Sequence, residues 1–320
     1  MPKLNMVQAI NLALKEEMEK DTDVAVLGED VGRDGGVFRV TEGLIEKFGA
    51  ERVIDTPLAE SGIIGAAIGM AAYGLKPVAE VQFLGFIYPA VDQIANHAAR
   101  IRCRSRGRYT CPLVIRAPYG IGIKSPEHHS ESCEALFCQM PGIKVVVPAS
   151  PYYAKGLLIS AIRDPDPVIF LESTRLYRLL KEEVPEGEYT VPLEKARIVQ
   201  EGTQLTLISW GSMLHRSLKA VEGIDAEVID LMTLNPLDEE TVYQSVKKTG
   251  RVVIVSEAQK TGSFASELSA SLAEDAMLSL KGPIMRVTGY DVVLPLPKLE
   301  DFYAPTVERI RKAIEEVLKY

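Results

Sequence analysis

The chain has 320 residues, enough for two domains of ordinary size. Apolar residues make up 47% and charged residues 25%, the balance of a soluble globular protein. The net charge of −8 argues against a nucleic-acid binder or an anionic-membrane binder.

In chain order, Asn5–Lys20 has helical apolar periodicity, with Asn5 as N-cap and Gln8 three residues on, a variant of the capping box. "DVAVLGED" reads as a buried strand ending in polar residues. "TEGLIEKFG" reads as a short helix capped by Thr41 and stopped by Gly49. "RVIDTP" is a short strand, Ser61–Tyr73 a helix closed by Gly74, "PVAEVQF" a strand and Ile87–Arg102 a helix. "PLVIRAP", "KVVVPAS" and "PVIFLES" are further strands, and Pro151–Arg163 is a helix that starts on a tolerated proline. Residues 176–194 collect charge, Pro and Gly, as a linker does.

A second unit follows, with strands "QLTLISWG", "AEVIDL", "RVVIVSEA" and "PIMRVTG". Its helices are Ser212–Glu222, Asp238–Lys247, Ser263–Asp275 and Pro305–Lys319. The expected fold class is α/β: residues 1–175 and 195–320 each form a mostly parallel sheet covered by helices.

The four cysteines, Cys103, Cys111, Cys133 and Cys138, form no CxxC pair and have no histidine at zinc-finger spacing. They read as reduced thiols of a cytoplasmic protein. The first residues lack the apolar core of a signal peptide, and no apolar run reaches the roughly 20 residues that span a bilayer.

Four places carry candidate chemistry. The first is "DTPLAESGIIGAAIGMAAYG", where Glu60 stands at the mouth of an apolar helix. Glu60 either serves the helix dipole or transfers a proton from a dry pocket walled by Leu58, Ala59, Ile63 and Ile64. Gly65 and Gly69 form GxxxG among alanines, which suits either a subunit contact or a buried central helix. "KSPEHHSES" places His128 and His129 in a polar loop, as a solvated pair or as ligand contacts. Phe83, Phe86 and Tyr88 stand where a strand ends, a position for stacking on a flat heterocycle or for core packing. The arginines at 100, 102, 104, 106 and 108 read as a solvated or interface-facing helix end. GxxxxGK[ST], GxGxxG and GDG are all missing, so a phosphorylated cofactor must take part of its site from elsewhere.

"VIDTPLAESGIIGAAIGMAAYGLKPVAEVQF", "PAVDQIANHAARIRCRS", "PEHHSES", "PGIKVVVPASPYYAKGLLISAIRDPDPVIFLE" and "AEVIDLMTLNPLDEETVYQSVKKTGRVVIVSEA" resemble one family. It is the β subunit of the thiamine diphosphate-dependent decarboxylating component of 2-oxoacid dehydrogenase complexes. The likeness is colinear over nearly the whole chain. It implies a transketolase-like pyrimidine-binding domain and a C-terminal domain for docking and assembly. It also implies an α₂β₂ heterotetramer, in which the α partner holds magnesium and the cofactor's diphosphate.

By that resemblance, Glu60 matches the acid that hydrogen-bonds the cofactor's pyrimidine and favours its imino tautomer. Phe86 matches the aromatic beside that ring, Leu58 a cofactor contact, and Gln82 falls near the substrate end. His129 matches the catalytic loop histidine, which acts on the substrate carboxylate or in acyl transfer to lipoamide; His128 is its neighbour without that role. Glu29 matches an acid on a proton path between active sites, although the acid those relatives carry at position 89 is Pro89 here. Leu113, Ala161, Ile162, Asp164 and Asp166 match a loop that binds potassium in some relatives, mainly through backbone carbonyls.

The implied reaction is oxidative decarboxylation of a 2-oxoacid with transfer of the acyl group to the lipoyl-bearing acyltransferase core. "PAVDQI" leans towards branched-chain substrates, and Phe86 also suits pyruvate. The rival readings are a self-contained transketolase-class enzyme and a non-catalytic assembly subunit.

Overall fold

Two main sheets organise the computed structural model, which describes residues 1–295 and 297–320. The first has seven strands in the order Thr233–Asn235, Lys144–Val146, Val168–Ser173, Val114–Tyr119, Lys76–Glu80, Val24–Gly28, Val53–Asp55. All neighbours run parallel except the edge pair that Thr233–Asn235 makes with Lys144–Val146. The second has five strands in the order Met285–Val287, Val252–Val255, Leu205–Ser209, Ala226–Asp230, Arg197–Gln200, and only the last pair is antiparallel. Helices cover both, so the expected α/β class holds. The central strands are buried along their whole length, which is why they read as apolar runs and not as alternation.

The helix Met6–Lys20 carries the expected capping box, with Gln8 N–H donating to Asn5 and Asn5 N–H to the Gln8 side chain. It packs along Pro151–Arg163, where Arg163 pairs with Glu17 and the buried Lys155 lies 2.8 Å from Glu16. Other expectations need correcting. Thr41 does not cap the short helix Leu44–Phe48. Its hydroxyl donates to the Val31 carbonyl at 2.6 Å, and left-handed Gly43 opens the helix. The segment expected as one helix over Ile87–Arg102 is broken into 3₁₀ turns, a π turn at Gln93–His97 and a last α turn at Ile101–Arg104. A distant backbone crosses it: a Cβ on Gly142 would lie 2.3 Å from the Ala99 carbonyl oxygen. A straight continuous helix there competes with that crossing.

Residues 176–194 are packed onto the first unit. Glu182–Glu183 pairs antiparallel with Lys3–Leu4, Tyr189 stacks on Tyr152 at 4.6 Å, and Lys155 donates to the Pro185 and Gly187 carbonyls. Leu176, Tyr177, Val184, Val191 and Leu193 are buried. Thr233–Asn235, Arg197–Gln200 and Lys3–Leu4 were not expected as strands. Each is only two to four residues long, and its pairing partner is remote.

Where the two units meet, a polar contact is buried. Glu257 accepts from Ser212 Oγ at 2.9 Å and from Ile121 N–H at 3.1 Å, and Trp210 Nε1 donates to Glu134. Burial pushes the Glu257 carboxyl from the usual 4.5 up to about 7; the Ile121 and Ser212 donors and Arg216 oppose this, while nearby Glu134 adds to it. The folded chain therefore keeps a proton that the unfolded chain has released. Stability falls as pH rises across that window and levels off above it. Glu257→Gln is expected to flatten this fall, measured as the unfolding midpoint of both proteins from pH 5 to 8. An unchanged slope would remove Glu257 as its source.

Candidate functional site

The parallel register gathers the site. Glu29 and Asp30 follow strand Val24–Gly28, Leu58 and Glu60 follow Val53–Asp55, Gln82 and Phe86 follow Lys76–Glu80, and His129 follows Val114–Tyr119. These four strands are neighbours in one sheet. Carboxyl-end loops of adjacent parallel strands form the crevice where open α/β sheets bind ligands. Glu29, Leu58, Glu60, Gln82, Phe86 and His129 thus share one edge. Leu113 and Ala161, Ile162, Asp164 and Asp166 precede strands Val114–Tyr119 and Val168–Ser173, so they lie at the opposite, amino-terminal edge.

Glu60 is the first residue of the helix Glu60–Tyr73, and no side chain caps that end. The residue is half-buried. The expected dry enclosure is not built by this chain. Leu58 is 68% exposed and Ala59 is exposed, while Ile63 and Ile64 turn into the core. One stripe of the helix, Gly62, Ala66, Gly69 and Tyr73, is open, and a Cβ on Gly69 would meet nothing within 4 Å. Gly65 faces Gln93 instead. The helix is therefore neither wholly central nor wholly surface.

Glu29 lies close enough to Glu60 to feel its charge. Burial first, then the charges of Asp30 and Glu60, push the Glu29 carboxyl up. Asp55, which the sequence reading missed, holds this loop in place by accepting from Gly32 N–H at 2.6 Å and Arg33 N–H at 3.1 Å. A Cβ at Gly32 would strike that carboxylate at 2.7 Å, so the glycine permits the grip. Gln82 Nε2 donates to Asp30 at 3.2 Å.

On the other side stands an aromatic cluster. His129 meets Phe83 at 4.4 Å and Phe86 at 5.1 Å, both edge-on, and His128 lies 4.2 Å from His129. Phe83 is core, Phe86 is half-buried, and Tyr88 is half-exposed and donates to Glu131. His128 is largely exposed beside Glu127. Burial and the neighbouring His128 push the His129 ring down from its usual value, so it is neutral at pH 7. Among the described residues its buried Nδ1 has no hydrogen-bond partner, which leaves it free to meet a ligand or water.

Gly85 permits this contact. A Cβ there would lie 2.0 Å from the His128 carbonyl oxygen, which backbone cannot yield without moving the Glu127–His129 turn. By the role the resemblance gives His129, Gly85→Ala is expected to displace that side chain and lower turnover by about 100-fold, as a 1 Å misplacement can. Steady-state kinetics of the assembled enzyme check this; wild-type kcat would show that the turn's position is irrelevant.

At the opposite edge, Asp164 lies 2.6 Å from Lys144 Nζ and Asp166 lies 2.6 Å from Arg102 Nε. The Leu113 and Ala161 carbonyls accept from Val168 and Asp164 N–H. Both carboxylates are thus already neutralised, and carbonyl lone pairs are what remains for a monovalent cation. Among the described residues, no group of three His, Cys, Asp or Glu side chains is placed to hold a metal. Nor is any helix long and apolar enough to cross a membrane.

Comparison with known proteins agrees with the two-unit fold. The pyrimidine-binding domain of transketolase matches residues 2–179, and the transketolase C-terminal domain matches residues 194–310. The chain is 50% identical to the pyruvate dehydrogenase E1 component subunit beta of Acholeplasma laidlawii, covering 99% of this chain and 98% of the relative. It is also 50% identical to the protein of that name from Bacillus subtilis, over 100% of both. The 2-oxoisovalerate dehydrogenase subunit beta of Bacillus subtilis is 48% identical over 99% of both. A solved split gene transketolase, described as an inactive β4 tetramer, covers 99% of both chains with a TM-score of 0.81 at 23% identity, a likeness of fold.

Sheet order and the matched domains together define a transketolase-like chain with a pyrimidine-binding and a C-terminal domain. Within that class, the chain belongs to the family of E1 β subunits of 2-oxoacid dehydrogenases.

Proposed function

We propose that this chain is the β half of a thiamine diphosphate-dependent 2-oxoacid decarboxylase, active with an α subunit in an α₂β₂ assembly. One observation carries the reading: Glu60, Phe86 and His129 stand on neighbouring carboxyl-end loops. The residues present fit a flat, nitrogen-rich ring. Phe86 offers a half-buried aromatic surface, and the buried Nδ1 of His129 has no partner among the described residues. When bound, thiamine diphosphate supplies the nucleophilic carbon and the electron sink for decarboxylation.

The chain's own residues have separate tasks. Glu60 hydrogen-bonds the pyrimidine and holds a proton at its ring nitrogen. Leu58 is exposed on this chain and is covered only on assembly, so it seals the acid from water across the joint. Phe86 sets the plane of the ring. Gln82 lies towards the substrate end, tethered to Asp30. His129, neutral and desolvated, donates to the substrate carboxylate or assists acyl transfer to a lipoyl group of the acyltransferase core. Glu29, beside Glu60, relays protons, and Pro89 denies that path a second acid.

The α partner supplies magnesium and the diphosphate grip, because the chain has no phosphate loop. The open stripe Gly62, Ala66, Gly69 and Tyr73 gives a partner backbone room to approach. Potassium at the Leu113–Asp166 edge is tested by unfolding in potassium and choline chloride at equal ionic strength. A midpoint raised by potassium alone supports it, and equal midpoints remove it.

Substrate choice is proposed as pyruvate or a branched-chain 2-oxoacid. The branched-chain lean gains nothing from relatives of the two kinds at 50% and 48% identity. Carbon dioxide release from pyruvate and from 2-oxoisovalerate, with the α partner and lipoyl domain present, decides it. No release from either would refute the proposed function.

A further inference from the structure

The histidine loop is gripped from the second unit. It leaves strand Val114–Tyr119 at Gly120 and closes on itself where Gly120 N–H donates to the Glu131 carbonyl at 2.9 Å. Between these points the backbone is contorted, with φ of +79° at Gly120, +142° at Gly122 and +53° at Lys124. Lys124 has a Cβ, so its left-handed conformation is strained and needs outside support.

That support comes from two carboxylates beyond residue 250. Glu257 accepts from Ile121 N–H at 3.1 Å, and Glu300 accepts from Lys124 N–H at 3.0 Å. Both acids are about 2% exposed. Neither belongs to the cluster around Glu60.

A buried carboxylate needs compensation, and Glu300 finds it in the Lys124 amide at the root of the loop that carries His129. The ion pair of Lys124 with Asp301 at 3.2 Å is solvent-exposed and contributes little. Ser125 and Ser130, 3.4 Å apart, brace the loop's other end. The second unit therefore reaches the site through backbone amides.

We propose that Glu300 is a positioning residue for the reaction: by holding the Lys124 amide it sets the loop that places His129 against Phe83 and Phe86. The inference rests on the proposed role of His129. It assigns the C-terminal unit a part in turnover besides assembly.

The test uses the complex assembled with the α partner. Glu300→Ala, Glu300→Gln, His129→Ala and the Glu300→Ala/His129→Ala double variant are compared for kcat and KM on the 2-oxoacid that the wild type decarboxylates. Hydrogen exchange is followed across residues 120–131. Glu300→Ala is expected to speed exchange in this loop, leave the Glu60–Tyr73 helix unchanged and lower kcat at least tenfold. Glu300→Gln, whose amide oxygen still accepts, is expected to recover most of that loss. In the His129→Ala background, Glu300→Ala is expected to add little, because both act through one side chain.

Unchanged exchange at 120–131 in Glu300→Ala would overturn the proposal. So would an equal further loss of kcat without His129. Wild-type turnover by His129→Ala alone would instead refute the role of that histidine, while faster loop exchange in Glu300→Ala would still stand for the grip. Should Glu300→Ala not assemble, Glu300→Asp withdraws the oxygens by one methylene and is read by the same two measurements.

Discussion

Glu60→Gln in the assembled enzyme is expected to lower kcat by two to four orders of magnitude, the usual worth of a positioned acid–base group. The substitution keeps shape and removes only the capacity to hold the proton. Glu60 starts its helix without capping it, so helix stability is expected to change by less than about 1 kcal/mol. KM for the 2-oxoacid and the size of the assembly should stay as in wild type, because Gln fills the same space at the joint. The effect on turnover far exceeds that on stability. That inequality separates a catalytic acid from a helix-end charge. Equal kcat for variant and wild type, in a tetramer of normal size, would return Glu60 to the second role.

Arg116→Met is expected to destabilise the chain by about 3–5 kcal/mol. Arg116 is fully buried in the middle of the first sheet, bonded to both Glu172 oxygens at 2.7 and 2.8 Å and to Glu80 at 2.6 Å. Tyr177 donates to Glu172 at 2.7 Å. Burial works against the guanidinium charge, but Glu172 and Glu80 outweigh it and raise its pKa. Burial pushes the Glu80 carboxyl up, with Arg116 opposing. Without Arg116, two carboxylates stay in the core with no cation.

The expected drop in unfolding midpoint is on the order of 10 °C. Replacing the set together (Glu80→Leu, Arg116→Met, Glu172→Leu, Tyr177→Phe) should recover much of it, because no buried charge is then left unpaired. If thermal unfolding shows Arg116→Met as stable as wild type, the network is not what holds these strands.

This network was legible in principle. "VAEV", "VIRAP" and "FLES" each place one charged residue in an otherwise apolar strand, and parallel pairing sets Glu80 beside Arg116. The alternation of strands and helices was legible too, because buried parallel strands read as apolar runs between amphipathic helices. So was the Asn5–Gln8 box, whose partners are three residues apart.

What could not be read depends on remote contacts. Gly142 meets Ala99 across more than forty residues and breaks a segment whose own periodicity is helical. Thr41 has a cap's chemistry, but the Val31 carbonyl takes its hydroxyl. The site residues were legible from the family resemblance, whereas Asp55, Gly85 and Glu300 show their contacts only once the chain is folded. Leu58 is the reverse case, an apolar residue whose expected shelter this chain does not provide.

That exposure bears on the central claim, that half of the site lies on another chain. The most direct measurement is 2-oxoacid decarboxylation with thiamine diphosphate and magnesium by this chain alone, by the α partner alone, and by the two together. The account predicts turnover only from the pair, and its loss when the pair carries Glu60→Gln. Turnover by this chain alone would identify a self-contained enzyme and contradict the account.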